Sequence, residues 1–180
     1  MMQITKNAMG LALAAAFCLA LLASPAHGAE KYYLKVEGTK QGSFKGGIER
    51  NGSRWIEITA FSVGLISPRD AATGQASGKR QHKPISITKE VDESSPQLFR
   101  AATTNEVLKD VVIQSVRLDP HGKEQIYQTI TLKNAHIPQV QKIAGKGKRE
   151  EERFDLIFQQ IQVTDVQGKV TATDDWEASK

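Results

Sequence analysis

Histidines are the first side chains in this sequence that could support metal binding or acid–base catalysis. After residue 28 the chain has three of them, His82, His121 and His136. None lies four residues from another histidine or beside a cysteine or carboxylate cluster, which are the spacings that zinc ligands use. The sequence therefore predicts no metal site, and turn polarity alone accounts for His121.

Carboxylate runs could instead supply the paired acids of a glycosidase-type hydrolase. Asp174–Asp175 and Glu150–Glu152 are such runs, but adjacent acids are usually exposed charge, and neither run has a second motif to act with. A hydrolase that uses Asp174 and Asp175 remains an alternative hypothesis.

Phosphate binding and covalent catalysis also lack their usual residues. The segment 144–149, Ala-Gly-Lys-Gly-Lys-Arg, has neither the glycine spacing nor the trailing Ser or Thr of a phosphate loop. The chain has one cysteine, Cys18, close to its start, and no Gly-x-Ser-x-Gly motif. The sequence thus predicts no active site, no cofactor and no enzymatic activity.

The first 28 residues have the pattern of a cleaved signal peptide. Lys6 precedes an apolar run over residues 8–23, and residues 24–28 supply a helix breaker and the small residues expected before a cut at Ala29. A membrane anchor is the alternative, but a span needs about 20 apolar residues and this run is shorter. We therefore predict export to the periplasm or beyond and no membrane segment in the mature chain.

Cleavage would leave 180 − 28 = 152 residues, and residues 29–180 have the size expected of a single domain. The chain has 24 basic and 20 acidic residues, and one basic residue lies in the signal, so the mature net charge is 23 − 20 = +3. This charge is too small, without a basic and aromatic stripe, to predict nucleic-acid binding. Because the cysteine leaves with the signal, stability must come from the core or from oligomerisation.

Apolar and polar residues alternate along most of the mature chain, which predicts strands. Asp119–Gly122 is a strong turn signal and predicts a hairpin between its flanking strands. Pro138 predicts a bulge or an edge, and a phase change near residues 159–160 predicts a second bulge. The predicted strands are Tyr32–Val36, Trp55–Val63, Ile85–Lys89, Lys109–Leu118, Glu124–Lys133, Ala135–Ile143, Phe154–Thr164 and Lys169–Thr173.

The segment 79–102 combines one of these strands with the single predicted helix. Ser95 is a good N-cap and Pro96 suits the first helical position, where its missing N–H is not needed. Leu98 and Phe99, with the alanines that follow, predict an apolar helix face. We therefore predict an all-β sandwich or barrel with one helix packed on it.

The loop before this segment is unusually long. Gly64–Gln81 is rich in small residues and has no periodicity. A loop of this length within a domain is usually functional or flexible.

Several motifs in the right order resemble the haemolysin-coregulated protein family, the tube subunits of bacterial type VI secretion systems. The central motif is His82–Asp92 followed by Ser94–Phe99. Supporting segments along the chain are Tyr32–Gly38, Trp55–Ile58, Phe61–Gly64, Ile130–Ala135, Phe158–Val163 and Asp174–Trp176.

The resemblance implies a mainly β fold, a two-sheet antiparallel β-barrel with a single α-helix, and hexameric rings that stack into a tube. It implies that Phe61, Ser62 and Val63, with parts of the helix that starts at Ser95 and Pro96, lie on or near the pore wall. It also implies that the long loop reaches neighbouring subunits, through residues that include Gly64, Ser67, Pro68, Arg69, Gly74 and Gly78.

The same resemblance implies partners: further copies of the chain, a trimeric spike protein, the sheath and secreted effector proteins. Family members are normally cytoplasmic until the machine secretes them, so the predicted signal peptide is a departure from the family. This departure leaves an alternative, an exported β-barrel binding module that keeps the fold without forming a tube.

Overall fold

The computed structural model describes residues 30–147 and 149–176, and the predicted signal peptide lies outside these ranges. The described chain forms one helix, α1 (Ser95–Thr103), and thirteen strands. The strands are β1 (Lys31–Gly38), β2 (Gly42–Ser43), β3 (Ile48–Arg50), β4 (Ser53–Ile58), β5 (Ala60–Ser62), β6 (Leu65–Ile66), β7 (Gln81–His82), β8 (Ile85–Glu90), β9 (Leu108–Leu118), β10 (Glu124–Ile143), β11 (Glu151–Ile157), β12 (Gln160–Asp165) and β13 (Val170–Asp175).

One long hydrogen-bonded path joins most of these strands, in the order β3-β4-β1-β9-β10-β11-β8-β5. β12 and β13 extend from the first half of β10, and β2 adds to β1. β10 pairs with β9 and β12 through its first half and with β11 through its second half. This long strand therefore belongs to both sheets of the fold.

The two sheets and the helix share one apolar core. Leu34, Ile113 and Leu132 come from the first sheet, Ile87 from the second, and Leu98 from α1, and all five are buried. Burying such side chains contributes about 1.5–3 kcal/mol each relative to leaving them in water. The core thus fixes the sheets and the helix in one arrangement.

The predicted strand Trp55–Val63 is two strands in the structure, because the chain changes sheets at Thr59. β4 pairs with β1, whereas β5 pairs with β8. The Thr59 amide donates to the carbonyl oxygen of Thr88 at 2.8 Å, which turns the chain toward the second sheet. Ala60 continues the alternation of Ile56 and Ile58 in the sequence, but the change of sheet leaves it exposed.

The phase change near residues 159–160 has a similar cause. β11 and β12 lie in different sheets and are separated by Phe158 and Gln159, so the predicted single strand with a bulge is wrong. The bulge predicted at Pro138 is confirmed by a register shift between His136 and Gln139. The two strands predicted on either side of it are one continuous strand, β10.

The mainly β fold with two antiparallel sheets and one α-helix is thus confirmed. The hydrogen-bonded path ends at β3 and β5, which do not pair with each other, so the barrel is not closed by a ladder. Among the described residues, no helix has the length and apolar content needed to cross a membrane.

Candidate functional site

The predicted long loop forms a two-stranded arm, residues 64–83, that projects from the sheets. β6 and β7 pair through Leu65 with His82 and Ile66 with Gln81. At its base the amide of Lys83 donates to the carbonyl oxygen of Gly64 at 2.8 Å. Nearly all residues of the arm are exposed. The arm is therefore an ordered and exposed element that other molecules can contact.

A tight turn shapes the tip of the arm. Oδ1 of Asp70 accepts the amides of Ala72 at 3.0 Å and Thr73 at 2.8 Å, together with the Thr73 hydroxyl. These hydrogen bonds, chiefly the one from the Thr73 amide, lower the pKa of the Asp70 carboxyl. Gly74 has a φ of +70°, which favours glycine at this position. Two of the predicted loop residues thus form part of this turn. Gly74 adopts the positive φ, and the guanidinium of Arg69 donates a 3.1 Å hydrogen bond to the carbonyl oxygen of Gly74.

The other predicted loop residues lie nearer the base of the arm. The carbonyl oxygen of Pro68 accepts a hydrogen bond from the amide of Ser77 at 3.1 Å, and the Pro68 ring lies beside Gly78. Ser67 and Gly78 line a cleft of about 390 Å³ between the arm and Asp174.

An ionic latch, formed by Arg80, His82 and Asp174, holds the base of the arm to β13. Oδ2 of Asp174 lies 2.6 Å from Nε2 of His82 and accepts Nε of Arg80 at 2.5 Å. The hydrogen bond from the Arg80 guanidinium, followed by that from His82, holds the pKa of the Asp174 carboxyl well below its usual range, although burial acts in the opposite direction. The His82 ring makes edge contacts with Phe158 at 5.4 Å and Trp176 at 6.2 Å between ring centres. Asp174 therefore serves to fix the arm.

The three predicted lumen residues lie at the edge strand β5 and just beyond it. The Phe61 ring is half-buried and meets the Tyr32 ring edge-on, with 5.3 Å between ring centres. Ser62 and Val63 are exposed, and Val63 adjoins the arm.

The helix begins one residue from where we predicted its cap. Ser94, not Ser95, is the N-cap residue, and its side chain makes no capping bond. Its carbonyl oxygen accepts a hydrogen bond from the amide of Leu98 at 3.0 Å. Pro96 is the second helical residue and not the first as predicted, but it still lies in the first turn, where its missing N–H is not needed. The predicted cap Ser95 is the first helical residue, and its hydroxyl points into a buried polar cluster.

This cluster contains the buried residues Lys89, Ser95 and Glu152 and the partly buried Asp92. Nζ of Lys89 donates to Asp92 at 2.7 Å, to Ser95 at 3.2 Å and to Glu152 at 2.8 Å, which uses all three of its donors. The Ser95 hydroxyl donates a hydrogen bond to Glu152 at 2.7 Å and accepts hydrogen bonds from Nζ of Lys89 and from the backbone amide of Asp92. These hydrogen bonds join β8 and β11 to the first helical residue, so the cluster stabilises the start of α1.

A second buried carboxylate ties the β1–β2 turn to the end of the helix. Glu106 accepts the amides of Lys40 at 2.6 Å and Gln41 at 2.8 Å and the side-chain amide of Gln41 at 2.8 Å. Burial acts to raise the pKa of Glu106, but these hydrogen bonds outweigh it and lower the pKa. Sequence reasoning missed this carboxylate and the Lys89 cluster.

A groove of about 460 Å³ runs beside α1. Its apolar lining comes from Val91, Pro96, Phe99 and Val140. Phe99, predicted on the buried helix face, is 62% exposed, whereas its neighbour Leu98 is fully buried. The side chain of Phe99 is therefore available at the rim of this groove.

In the part of the chain that the structure describes, no group of three or more His, Cys, Asp or Glu side chains is arranged so that it could hold a metal ion. The features that the geometry offers are an exposed arm, an ionic latch and an apolar groove. Each of these suits contact with another macromolecule better than chemistry on a small substrate.

Comparisons with known proteins point to one family. The family model described as "Type VI secretion system effector, Hcp" matches residues 33–164. The "Major exported protein" of Pseudomonas aeruginosa is 36% identical over 115 residues, which cover 58% of this chain and 67% of that protein.

Solved structures of Hcp proteins are also similar. One has a TM-score of 0.75 at 27% identity and covers 82% of this chain and 100% of its own. The secreted protein Hcp3 from Pseudomonas aeruginosa has a TM-score of 0.69 at 26% identity and covers 82% of this chain and 99% of its own. The chain therefore shares its fold with these Hcp structures over most of its length.

Proposed function

Since the chain belongs to the Hcp family of type VI secretion proteins, we propose that it is a structural subunit of the secretion tube. In this role it has no catalytic activity, and six copies form a ring whose stacking produces a conduit for secreted effectors. The observation that carries the proposal is the family match over residues 33–164, which includes the arm and the helix.

A ring requires a heterologous interface that closes on itself. The exposed arm supports such an interface, because it projects beyond the sheets and its base is fixed by Asp174. The remaining partners in this proposal are the spike protein, the sheath and the effectors.

Native mass measurement of the full chain, with negative-stain microscopy, tests the ring. We expect a particle of six copies with six-fold symmetry. A strictly monomeric protein at high concentration would contradict the proposal and would favour the exported binding module.

We further propose that Phe61, Ser62 and Val63 face the lumen of the ring. The exposure of Ser62 and Val63 supports this placement, and these uncharged side chains suit a wall that holds cargo without binding it tightly.

The lumen placement can be tested with Ser62→Cys in a Cys18→Ser background. In assembled particles this thiol should react with a small maleimide at the rate of the dissociated protein, but more slowly with a bulky maleimide-polyethylene glycol. Equal rates with both reagents in both states would contradict the placement.

A further inference from the structure

The turn between β3 and β4 contains a motif to which the tube assigns no role. Asn51, Gly52 and Ser53 form the sequence Asn-x-Ser, which is the acceptor motif for N-linked glycosylation. Glu49 lies two residues before Asn51, at the position where bacterial oligosaccharyltransferases prefer an acidic residue. No other asparagine of the sequence has Ser or Thr two residues after it.

Asn51 and Gly52 also form the turn of the hairpin. The β3–β4 ladder ends with the pair Arg50 and Ser53, so the loop between the strands has two residues. Their φ values are +51° and +70°, as in the type I′ turns that join hairpin strands. This turn favours Asn-Gly but sets no requirement for a hydroxyl at Ser53. Turn formation therefore accounts for only part of the motif.

The acceptor side chain lies at the tip of this hairpin. Asn51 and Gly52 are exposed, and a methyl group added at Gly52 would meet no atom within 4 Å. No residue in the described ranges forms a hydrogen bond with the side-chain amide of Asn51. A glycan on this nitrogen therefore displaces no contact that the structure contains.

The strands on either side of the turn are anchored to the first sheet. The guanidinium of Arg50 lies 3.9 Å from the centre of the Tyr33 ring and donates a hydrogen bond to Glu124 at 2.9 Å. The hydroxyl of Ser53 accepts a 3.2 Å hydrogen bond from Nζ of Lys35 and keeps its own proton as a donor. The hairpin thus stays attached through these flanking side chains when the turn carries an added group.

We propose that Asn51 is an N-glycosylation site of the exported chain. The side-chain nitrogen attacks C1 of the first sugar of an oligosaccharide that is linked to a lipid diphosphate. A C1–N bond forms, the C1–O bond to the diphosphate breaks, the nitrogen loses one proton, and the lipid diphosphate leaves. The catalyst is a bacterial oligosaccharyltransferase whose active site faces the periplasm, and this chain supplies only the acceptor.

This inference rests on the export predicted from residues 1–28 and not on the ring. A subunit that stays in the cytoplasm until the type VI machine secretes it does not meet a periplasmic transferase. A chain that crosses the inner membrane behind a signal peptide does meet it. A glycan on Asn51 therefore also reports the route by which the chain leaves the cytoplasm.

Co-expression in a bacterial host without a glycosylation pathway of its own tests the proposal. The full chain is produced with an oligosaccharyltransferase and an undecaprenyl-diphosphate-linked oligosaccharide of known mass, and the periplasmic protein is analysed by intact mass and peptide mapping. We expect one oligosaccharide, on the peptide that contains Asn51, and none when the transferase is inactivated. Asn105 and Asn134 share the positive φ but lack the hydroxyl two residues later, and should carry none.

Matched variants separate the motif from the turn. Asn51→Gln and Ser53→Ala should each lower the glycosylated fraction by about tenfold or more, because each removes a required part of the motif. Ser53→Thr keeps the hydroxyl and should retain the glycan.

A periplasmic wild type without the glycan, or a glycan that persists in Asn51→Gln, would overturn the proposal. A wild type that stays in the cytoplasm would also overturn it. None of these results bears on the six-copy particle, which native mass measures separately.

Discussion

Nζ of Lys89 lies 2.8 Å from Oε1 of Glu152, its partner across the β8–β11 ladder, and both side chains are almost completely buried. Removing one partner of a buried ion pair costs about 3–5 kcal/mol, because the other charge is left without compensation. We therefore expect Lys89→Met to lower the free energy of unfolding by about this amount, measured by urea denaturation at pH 7 and fixed protein concentration.

The matched control for this prediction is Lys109→Met. Lys109 lies 3.5 Å from Glu37 but its side chain is 53% exposed, and such pairs contribute about 1 kcal/mol or less. The double variant Lys89→Met/Glu152→Met should be more stable than Lys89→Met alone, because an apolar pair can replace a buried ion pair. If Lys89→Met and Lys109→Met destabilise equally, the cluster does not support the fold.

The ionic latch should control local opening of the arm. Asp174→Asn removes the charge that Arg80 and His82 share, and partly exposed ion pairs contribute about 0.2–1 kcal/mol. We expect hydrogen exchange at the Lys83 amide to become up to about fivefold faster at pH 7, with global stability little changed. Glu49→Gln on the exposed strand β3 removes the same charge and should leave this exchange rate unchanged.

The latch also has a predictable pH dependence. The pKa of Asp174 is lower in the folded protein than its usual value of about 3.9, chiefly because of the Arg80 hydrogen bond. A carboxyl with a lowered folded-state pKa contributes stability above its unfolded pKa and loses it as the pH falls through the folded value. The exchange difference between the wild type and Asp174→Asn should therefore persist at pH 4 and disappear only in more acidic solution, as NMR can measure. Its disappearance between pH 6 and pH 4 would contradict this role of the Asp174 charge.

The local periodicity of the sequence indicates which side chains of β8 and α1 face the core and which face outward. Lys89 continues the inward phase of Ile85 and Ile87, so the strand alternation contains a signal for a buried lysine that we did not use. Leu98 and Ala101 are three residues apart and share a helix face, whereas Phe99, one residue further, points about 100° away. That spacing indicates the observed exposure of Phe99, although we predicted it on the apolar face.

The partners of these residues could not be predicted, because they depend on pairing between distant strands. Glu152 meets Lys89 through the β8–β11 register, 63 residues along the chain. Asp174 meets His82 only because β13 lies beside the base of the arm, 92 residues away. A single sequence contains the alternation within each strand but not the register between strands, so these clusters appear only in the folded structure.

The predicted signal peptide leads to a direct test in a bacterial host. We expect the exported protein to begin at Ala29, as mass spectrometry of the intact chain would report. Ala26→Glu places a charged side chain where a small residue is needed and should leave the protein unprocessed, whereas Ala29→Ser should be processed normally. An exported wild-type protein that retains residues 1–28 would show that the prediction is wrong.

Replacing Gly38 with a larger residue should destabilise the fold, because the absence of a side chain at Gly38 leaves room for the buried carboxylate of Glu106. A methyl group on Gly38 would meet Oε1 of Glu106 and would lie 3.1 Å from the ring of Phe44. The carboxylate would then have to leave the amides of Lys40 and Gln41. Loss of such buried hydrogen bonds costs about 1–3 kcal/mol, which we expect for Gly38→Ala in urea unfolding at pH 7.

Gly47→Ala is the matched control, because a methyl group there meets no atom within 4 Å. It should change the free energy of unfolding by less than about 1 kcal/mol.

The destabilisation by Gly38→Ala should also depend on pH. The hydrogen bonds from Gln41 and Lys40 outweigh burial and lower the pKa of Glu106, so the carboxylate stabilises the fold above its unfolded pKa of about 4.3. Stability from this source is lost as the pH falls through the lower folded value, so the difference between Gly38→Ala and the wild type should narrow in strong acid. Equal destabilisation by Gly38→Ala and Gly47→Ala at pH 7 would contradict the role of Gly38. If the difference in free energy of unfolding between Gly38→Ala and the wild type narrows only below pH 4, the Glu106 carboxylate is its origin.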